Sequence, residues 1–234
     1  MQIDNKLLIF IYRFLLFIVG TVGIILTIFN KAWTFIPEMF LYYTVQTNIF
    51  CVLILLYMLV KEFVFQKDFS KRIYKLKFLA MIAITITCLV YAFVLLPELI
   101  KLELPDYDPL GMKDLIIHFI VPIGFLIDYF LFDQKGVQTW SGPLFTLIYL
   151  GLYGALIFLY ADLGKPYSTG ERYPYEFVNV DTQGLTQVLQ NMIVLIFATL
   201  VIGYIYFGID KLLGLGNRKK VEVIDINFFR NRQR

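Results

Sequence analysis

The chain is expected to fold as an all-α polytopic membrane bundle of six transmembrane helices with both termini cytoplasmic. Three observations carry this expectation. Hydrophobic residues make up 59% of the 234 and charged residues only 17%, less charge than a water-exposed surface of this length requires. Six apolar stretches approach the roughly 20 residues that a helix needs to cross a bilayer. Lys and Arg gather on one side of the alternating connectors.

The stretches run from Leu7 to Phe29, Met39 to Val60, Phe78 to Leu96, Asp114 to Phe132, Pro143 to Tyr160 and Leu185 to Phe207. Each is continuously apolar rather than alternating, which excludes a porin-type barrel. Residues 1–208 then form the transmembrane domain and 209–234 a basic cytoplasmic tail, with no room for a soluble domain. The first stretch is too long for a cleavable signal peptide and has no small-residue cleavage site, so it is expected to remain as a span.

Orientation follows from charge. Lys61, Lys67, Lys71, Arg72, Lys75 and Lys77 follow the second stretch; Lys211, Arg218, Lys219, Lys220, Arg230, Arg232 and Arg234 lie in the tail. With Lys6 and Lys135 these share the cytoplasmic side, against Lys31, Lys101, Lys113, Lys165 and Arg172 opposite. Trp33, Trp140 and Tyr160 suit interfacial anchoring. A net charge of +3 is no nucleic-acid signature, and the basic tail reads as topology or contact with anionic lipid. Within it, Val221, Val223, Ile224 and Ile226 partly alternate with acids, which fits a short strand or a disordered segment equally. Cys51 and Cys88 fall within helices as packing residues, with neither a disulfide framework nor zinc spacing.

The exterior connectors differ. The first, 30–38, ends in Pro37-Glu38, a helix-start signal. The second, 97–113, is acidic, with Glu98, Glu103, Asp106, Asp108, Pro105 and Pro109. The third, 161–184, contains Pro166-Tyr167 and Tyr173-Pro174-Tyr175 and is expected to fold down as a lid. No repeat relates the two halves, which disfavours inverted-repeat transporters.

His118, the only histidine, lies inside the fourth span, where an ionisable group is costly and is a functional candidate by default. Helical rise places it roughly 6 Å from the exterior end, Thr44 of the second span roughly 7 Å, and Gln187, Gln190 and Asn191 of the sixth roughly 3 to 9 Å. Pro122 lacks an N–H, so the carbonyl of His118 should lose its helical partner and the helix should kink there. Asp114 could accept the ring N–H. Thr44 and Asn48 share a helix face, flanked by Gln46 and Thr47. A threonine hydroxyl activated by an oriented histidine, with a carboxamide of Asn48, Gln190 or Asn191 for the oxyanion, permits ester hydrolysis. The plainer readings stand beside it: Thr44 bonded to its own helix carbonyl, and His118 and the amides as contacts between helices worth about 0.6 kcal/mol each. No metal ligand set is expected. At the other end, Arg13 and Asp128 lie at matching depth and are expected as a buried structural ion pair, with a proton or ion path as the alternative.

In family order, Phe40-Leu-Tyr-Tyr-Thr44-Val-Gln-Thr-Asn48, His118-Phe-Ile-Val-Pro122 with Asp128 downstream, and Tyr173-Pro174-Tyr175 resemble the androgen-induced-gene family of six-span membrane proteins, especially its bacterial branch. Animal members are threonine hydrolases of fatty acid esters of hydroxy fatty acids. The resemblance runs from Arg13 to about Asn191. It implies Thr44 as nucleophile, preferred over Thr47 because it follows Tyr42-Tyr43, and His118 as base. Gln46-Thr47-Asn48 departs from the more apolar, acid-containing stretch of the animal proteins.

The expected function is therefore a lipid ester hydrolase of the cell membrane, without cofactor, with membrane lipids as surroundings and substrate, no nucleic acid, and no protein partner indicated. The alternatives are a non-catalytic lipid- or small-molecule-binding membrane protein and a transporter.

Overall fold

The computed structural model describes residues 3–102, 107–167 and 170–231, with side chains as far as 216 in the last stretch. Glu103, Pro105, Asp106, Arg232 and Arg234 lie outside the described residues.

The protein is an all-α polytopic membrane bundle. Six helices are long and apolar enough to cross a membrane: Lys6–Ile28, Tyr43–Val64, Lys71–Leu102, Met112–Phe132, Gly142–Asp162 and Leu185–Gly216. The first packs on the second and fourth, and the fifth on the sixth; the third touches the second, fourth, fifth and sixth. That central position explains why Phe78, Ala80, Met81, Ile82 and Ile84 of the third span are wholly buried. They meet Cys51, Leu55 and Met58 of the second span and Phe125 and Tyr129 of the fourth. Leu152, Leu159, Phe197 and Leu212 face outward, as a lipid-solvated exterior allows.

Between lipid-embedded helices, close packing replaces the hydrophobic driving force, and small residues permit it. A Cβ added at Gly20 would lie 2.8 Å from Val52 Cγ2, and one at Gly23 would lie 2.4 Å from Ile116 Cγ2. The first span therefore sits tightly against the second and fourth. Its start is capped by the Asn5 side chain, which accepts from the Leu8 N–H at 3.1 Å.

Two prolines shape the third and fourth spans in the same way. Each lies two residues beyond a π-helical turn: Tyr91–Leu95 precedes Pro97, and Ile116–Ile120 precedes Pro122. A proline ring clashes with the carbonyl four residues back and supplies no N–H. Widening the preceding turn relieves the clash, and the Leu96 and Val121 N–H groups accordingly reach back five residues to the Tyr91 and Ile116 carbonyls. His118 sits within the second of these turns.

Several boundaries differ from the sequence expectation. The second helix begins at Tyr43; Pro37–Leu41 is a separate 3-10 turn. Thr44 therefore lies in the first helical turn, not 7 Å inside. The third helix begins at Lys71, so Lys71, Arg72, Lys75 and Lys77 are helical rather than loop residues. Lys77 is fully buried, because carboxylates from neighbouring elements meet it. One helix, Leu185–Asn231, continues through the tail, so Val221 to Ile226 are helical and not a strand.

Candidate functional site

Thr44 lies at the N-terminus of the second span, where the first helical N–H groups have no partner within the helix. Here phenols supply it. The Tyr43 N–H donates to both the Tyr153 and the Tyr175 hydroxyl oxygens, each at 3.1 Å. Both hydroxyls are thereby held at the residue that directly precedes Thr44. Burial pushes the Tyr175 phenol up, so it stays protonated. Around this point Tyr42 meets Tyr167 and Tyr175 edge-on, and Tyr43 meets Tyr149 and Tyr153. The Tyr173-Pro174-Tyr175 connector is thus folded onto the bundle, with Tyr173 buried.

Beneath the tyrosines lies a cavity of about 130 Å³. Its polar edge is formed by Tyr43, Thr44, Thr87, Tyr153 and Tyr175, and the rest of its wall is apolar. It runs between the fifth and sixth spans. Gly151 and Ile196 belong both to the cavity wall and to the exposed face of the bundle, so the cavity borders the membrane sideways.

His118 is buried but is not among the cavity-lining residues. Its ring lies parallel to that of Tyr91, with 3.5 Å between centroids. Nδ1 is 3.1 Å from the backbone carbonyl of Asp114. A carbonyl can only accept, so Nδ1 carries the proton and Nε2 is the basic nitrogen. The carboxylate expected to orient the ring is farther off, with Oδ1 at 3.7 Å. Asp114 thus fixes the tautomer through its main chain, because a residue one helical turn earlier presents its carbonyl to the imidazole. Among the described residues, no direct hydrogen bond joins Thr44 to His118.

Asn48 connects their helices. Its Nδ2 donates to the Thr44 carbonyl at 2.8 Å and to the Ile117 carbonyl at 3.0 Å. The unpaired carbonyl it meets is that of Ile117, one residue earlier than expected, because the π-turn sends the Val121 N–H to Ile116 and Pro122 has none to offer. With both donors committed and an acceptor-only Oδ1 remaining, Asn48 does not serve an oxyanion. Thr47 is also committed, to the Tyr43 and Thr44 carbonyls and to the Thr87 hydroxyl at 2.9 Å.

The sixth-span amides fall away from the site. Gln190 is exposed, and Asn191 donates to the Phe177 carbonyl at 2.8 Å while accepting from Gln187 at 3.0 Å. Neither lines the cavity. Equal depth did not mean equal facing, since these side chains lie on the side of the helix turned to the connector and the membrane.

At the opposite end, Arg13 Nε is 2.9 Å from Asp128 Oδ1. The pair belongs to a larger cluster that sequence reasoning missed. Arg13 also reaches Asp133 at 2.7 Å and Glu62 at 3.1 Å; Lys77 contacts Asp128 and lies 2.8 Å from Asp133. Lys77 follows Lys75 at the start of its apolar run and Asp133 lies at a span end, so hydropathy alone did not single them out. Tyr91, Tyr153 and Tyr175 were also missed as site residues. A tyrosine within an apolar helix needs a partner for its hydroxyl, and that need could have singled out Tyr153.

Comparison of the chain with protein-family models, with curated proteins and with solved structures finds no match in any of the three.

Proposed function

We propose that this protein is a membrane-embedded hydrolase of fatty-acyl esters, acting in the cell membrane with Thr44 as nucleophile and His118 as base. One observation carries the reading: a hydroxyl on a helix N-terminus edges an apolar cavity that borders the membrane, one side-chain bridge away from a histidine whose Nε2 is free to take a proton. An acyl chain fits the apolar wall, and its carbonyl would lie at the polar edge.

In the reaction, Thr44 Oγ1 bonds to the acyl carbon as its proton passes to His118 Nε2. The ester C–O bond then breaks, and the alcohol leaves with that proton. Water, deprotonated by the same nitrogen, releases the fatty acid and restores the threonine. The Thr44 hydroxyl and the imidazole must close to hydrogen-bonding distance as substrate enters, a tightening common between resting and substrate-bound sites.

Purified protein should hydrolyse a long-chain p-nitrophenyl ester, and Thr44→Ala and His118→Ala should each reduce kcat by about 10³-fold or more. Wild-type rates in both variants would refute the assignment. A second reading, lipid binding without catalysis, is favoured by the place of His118 outside the cavity lining that Thr44 belongs to. It predicts intact co-purified lipid and no labelling of Thr44 by a fluorophosphonate probe.

A further inference from the structure

Ester hydrolysis needs a donor for the negative charge that develops on the acyl oxygen, and a donor placed beforehand lowers the barrier most. The amides that suit this role by composition are ruled out by their partners: Asn48 is bound to two carbonyls, and Gln190 and Asn191 lie away from the cavity. Of the three tyrosines that line the cavity, Tyr43, Tyr153 and Tyr175, two place their hydroxyls at the backbone N–H that directly precedes Thr44, those of Tyr153 and Tyr175. Resting on the hydrolase reading above, we infer that Tyr175 is a catalytic residue that donates its phenolic proton in a hydrogen bond to the acyl oxygen of the substrate.

The geometry places its hydroxyl beside the start of the helix that carries Thr44. A backbone N–H can only donate, so the Tyr43 N–H occupies a lone pair on the Tyr175 oxygen and leaves the phenolic hydrogen for another acceptor. That oxygen is held at the residue directly before Thr44, and both side chains line the same cavity, so the phenol faces the site where Thr44 Oγ1 would attack. When Thr44 Oγ1 bonds to the acyl carbon, the carbonyl electron pair moves to the acyl oxygen beside the nucleophile, and the phenol donates its hydrogen bond there. The proton stays on Tyr175 throughout; the proton of Thr44 goes to His118 and leaves with the alcohol. Tyr153 shares the Tyr43 N–H from the fifth span, and its role is to orient the connector phenol, a difference that the two phenylalanine variants read out. The connector thereby contributes chemistry as well as cover: the Tyr-Pro-Tyr segment must be seated for the site to be complete.

The test compares hydrolysis of a long-chain p-nitrophenyl ester by the full-length protein and by Tyr175→Phe, Tyr153→Phe and Thr44→Ala, each with a melting temperature in detergent. The expected result is a fall in kcat of about 100-fold for Tyr175→Phe, with KM and melting temperature near those of wild type, a much smaller fall for Tyr153→Phe, and loss of activity in Thr44→Ala. If Thr44→Ala is inactive while Tyr175→Phe keeps its rate, or while both phenylalanine variants fall equally, the role of Tyr175 is overturned and the hydrolase reading stands. If Thr44→Ala keeps full activity, the hydrolase reading fails and this inference with it. Should Tyr175→Phe not fold, 3-fluorotyrosine at position 175 preserves shape and gives a more acidic donor. The alkaline limb of the kcat–pH profile should then move to lower pH, and an unmoved profile overturns the assignment.

Discussion

The Asn48 carboxamide donates to the Ile117 carbonyl across 3.0 Å, tying the second span to the π-turn that carries His118. The bond exists because that turn and Pro122 together remove both helical donors from Ile117. Replacing Asn48 by leucine would leave a buried carbonyl unpaired, at a cost of about 1–3 kcal/mol. A melting temperature in detergent clearly below wild type is expected for Asn48→Leu; an unchanged one would mean that water or another donor takes its place.

The buried ionic cluster should be far more sensitive. Arg13, Lys77, Asp128 and Asp133 are all buried, and removing one member strands its partners in low dielectric. Asp128→Leu leaves Arg13 and Lys77 short of a shared carboxylate and should cost about 3–5 kcal/mol. Lys77→Met should be comparably damaging, whereas Thr44→Ala should hardly move the melting temperature. Equal stability of wild type and Asp128→Leu would contradict the structural role of the cluster.

Lys135 predicts a pH effect. It lies between the fourth and fifth spans, with its ammonium bonded to the Tyr129 and Asp133 carbonyls, and burial lowers its pKa from the ordinary 10.5 to about 8. Between those values the unfolded chain retains a proton that the folded chain has released, so stability rises with pH across that window. Below it both states are charged, and the folded state bears the cost of burial. The melting temperature should contain a rise from pH 8 to 10.5 that Lys135→Met abolishes. The same slope in both proteins would show that another group is responsible.

Gly151 tests the sideways cavity. A Cβ built there meets nothing within 4 Å, so a larger side chain has room and would project where an acyl chain is proposed to lie. Gly151→Phe should raise KM for a long-chain ester roughly tenfold, equivalent to about 1.4 kcal/mol of lost binding, with little change for an acetyl ester. Similar effects on both substrates would place the acyl chain elsewhere.

The architecture was legible because a membrane span is a local property. Twenty apolar residues between polar connectors suffice, and all six helices could be located from that pattern. Helix starts were less legible: Met39 and Tyr43 look alike in hydropathy, and only the partners of the first N–H groups distinguish a 3-10 turn from a helix. Arg13 and Asp128 stood out because isolated charges in apolar runs must find each other. Glu62, Lys77 and Asp133 lie near span ends, where a charge is ordinary, so their membership of the cluster was hidden.

By itself, the sequence determined the six-helix class, the positions of Pro97 and Pro122 that widen the turns before them, and the presence of a lone histidine at membrane depth. Tertiary structure decided which way each polar side chain faces: Thr44 to the cavity, His118 to Tyr91, Asn48 to Ile117, and Gln190 away from them all. The physical reason is that hydropathy and helical rise specify depth along a helix, whereas azimuth and hydrogen-bond partner depend on how neighbouring helices pack. Polar chemistry in a membrane depends on those two quantities.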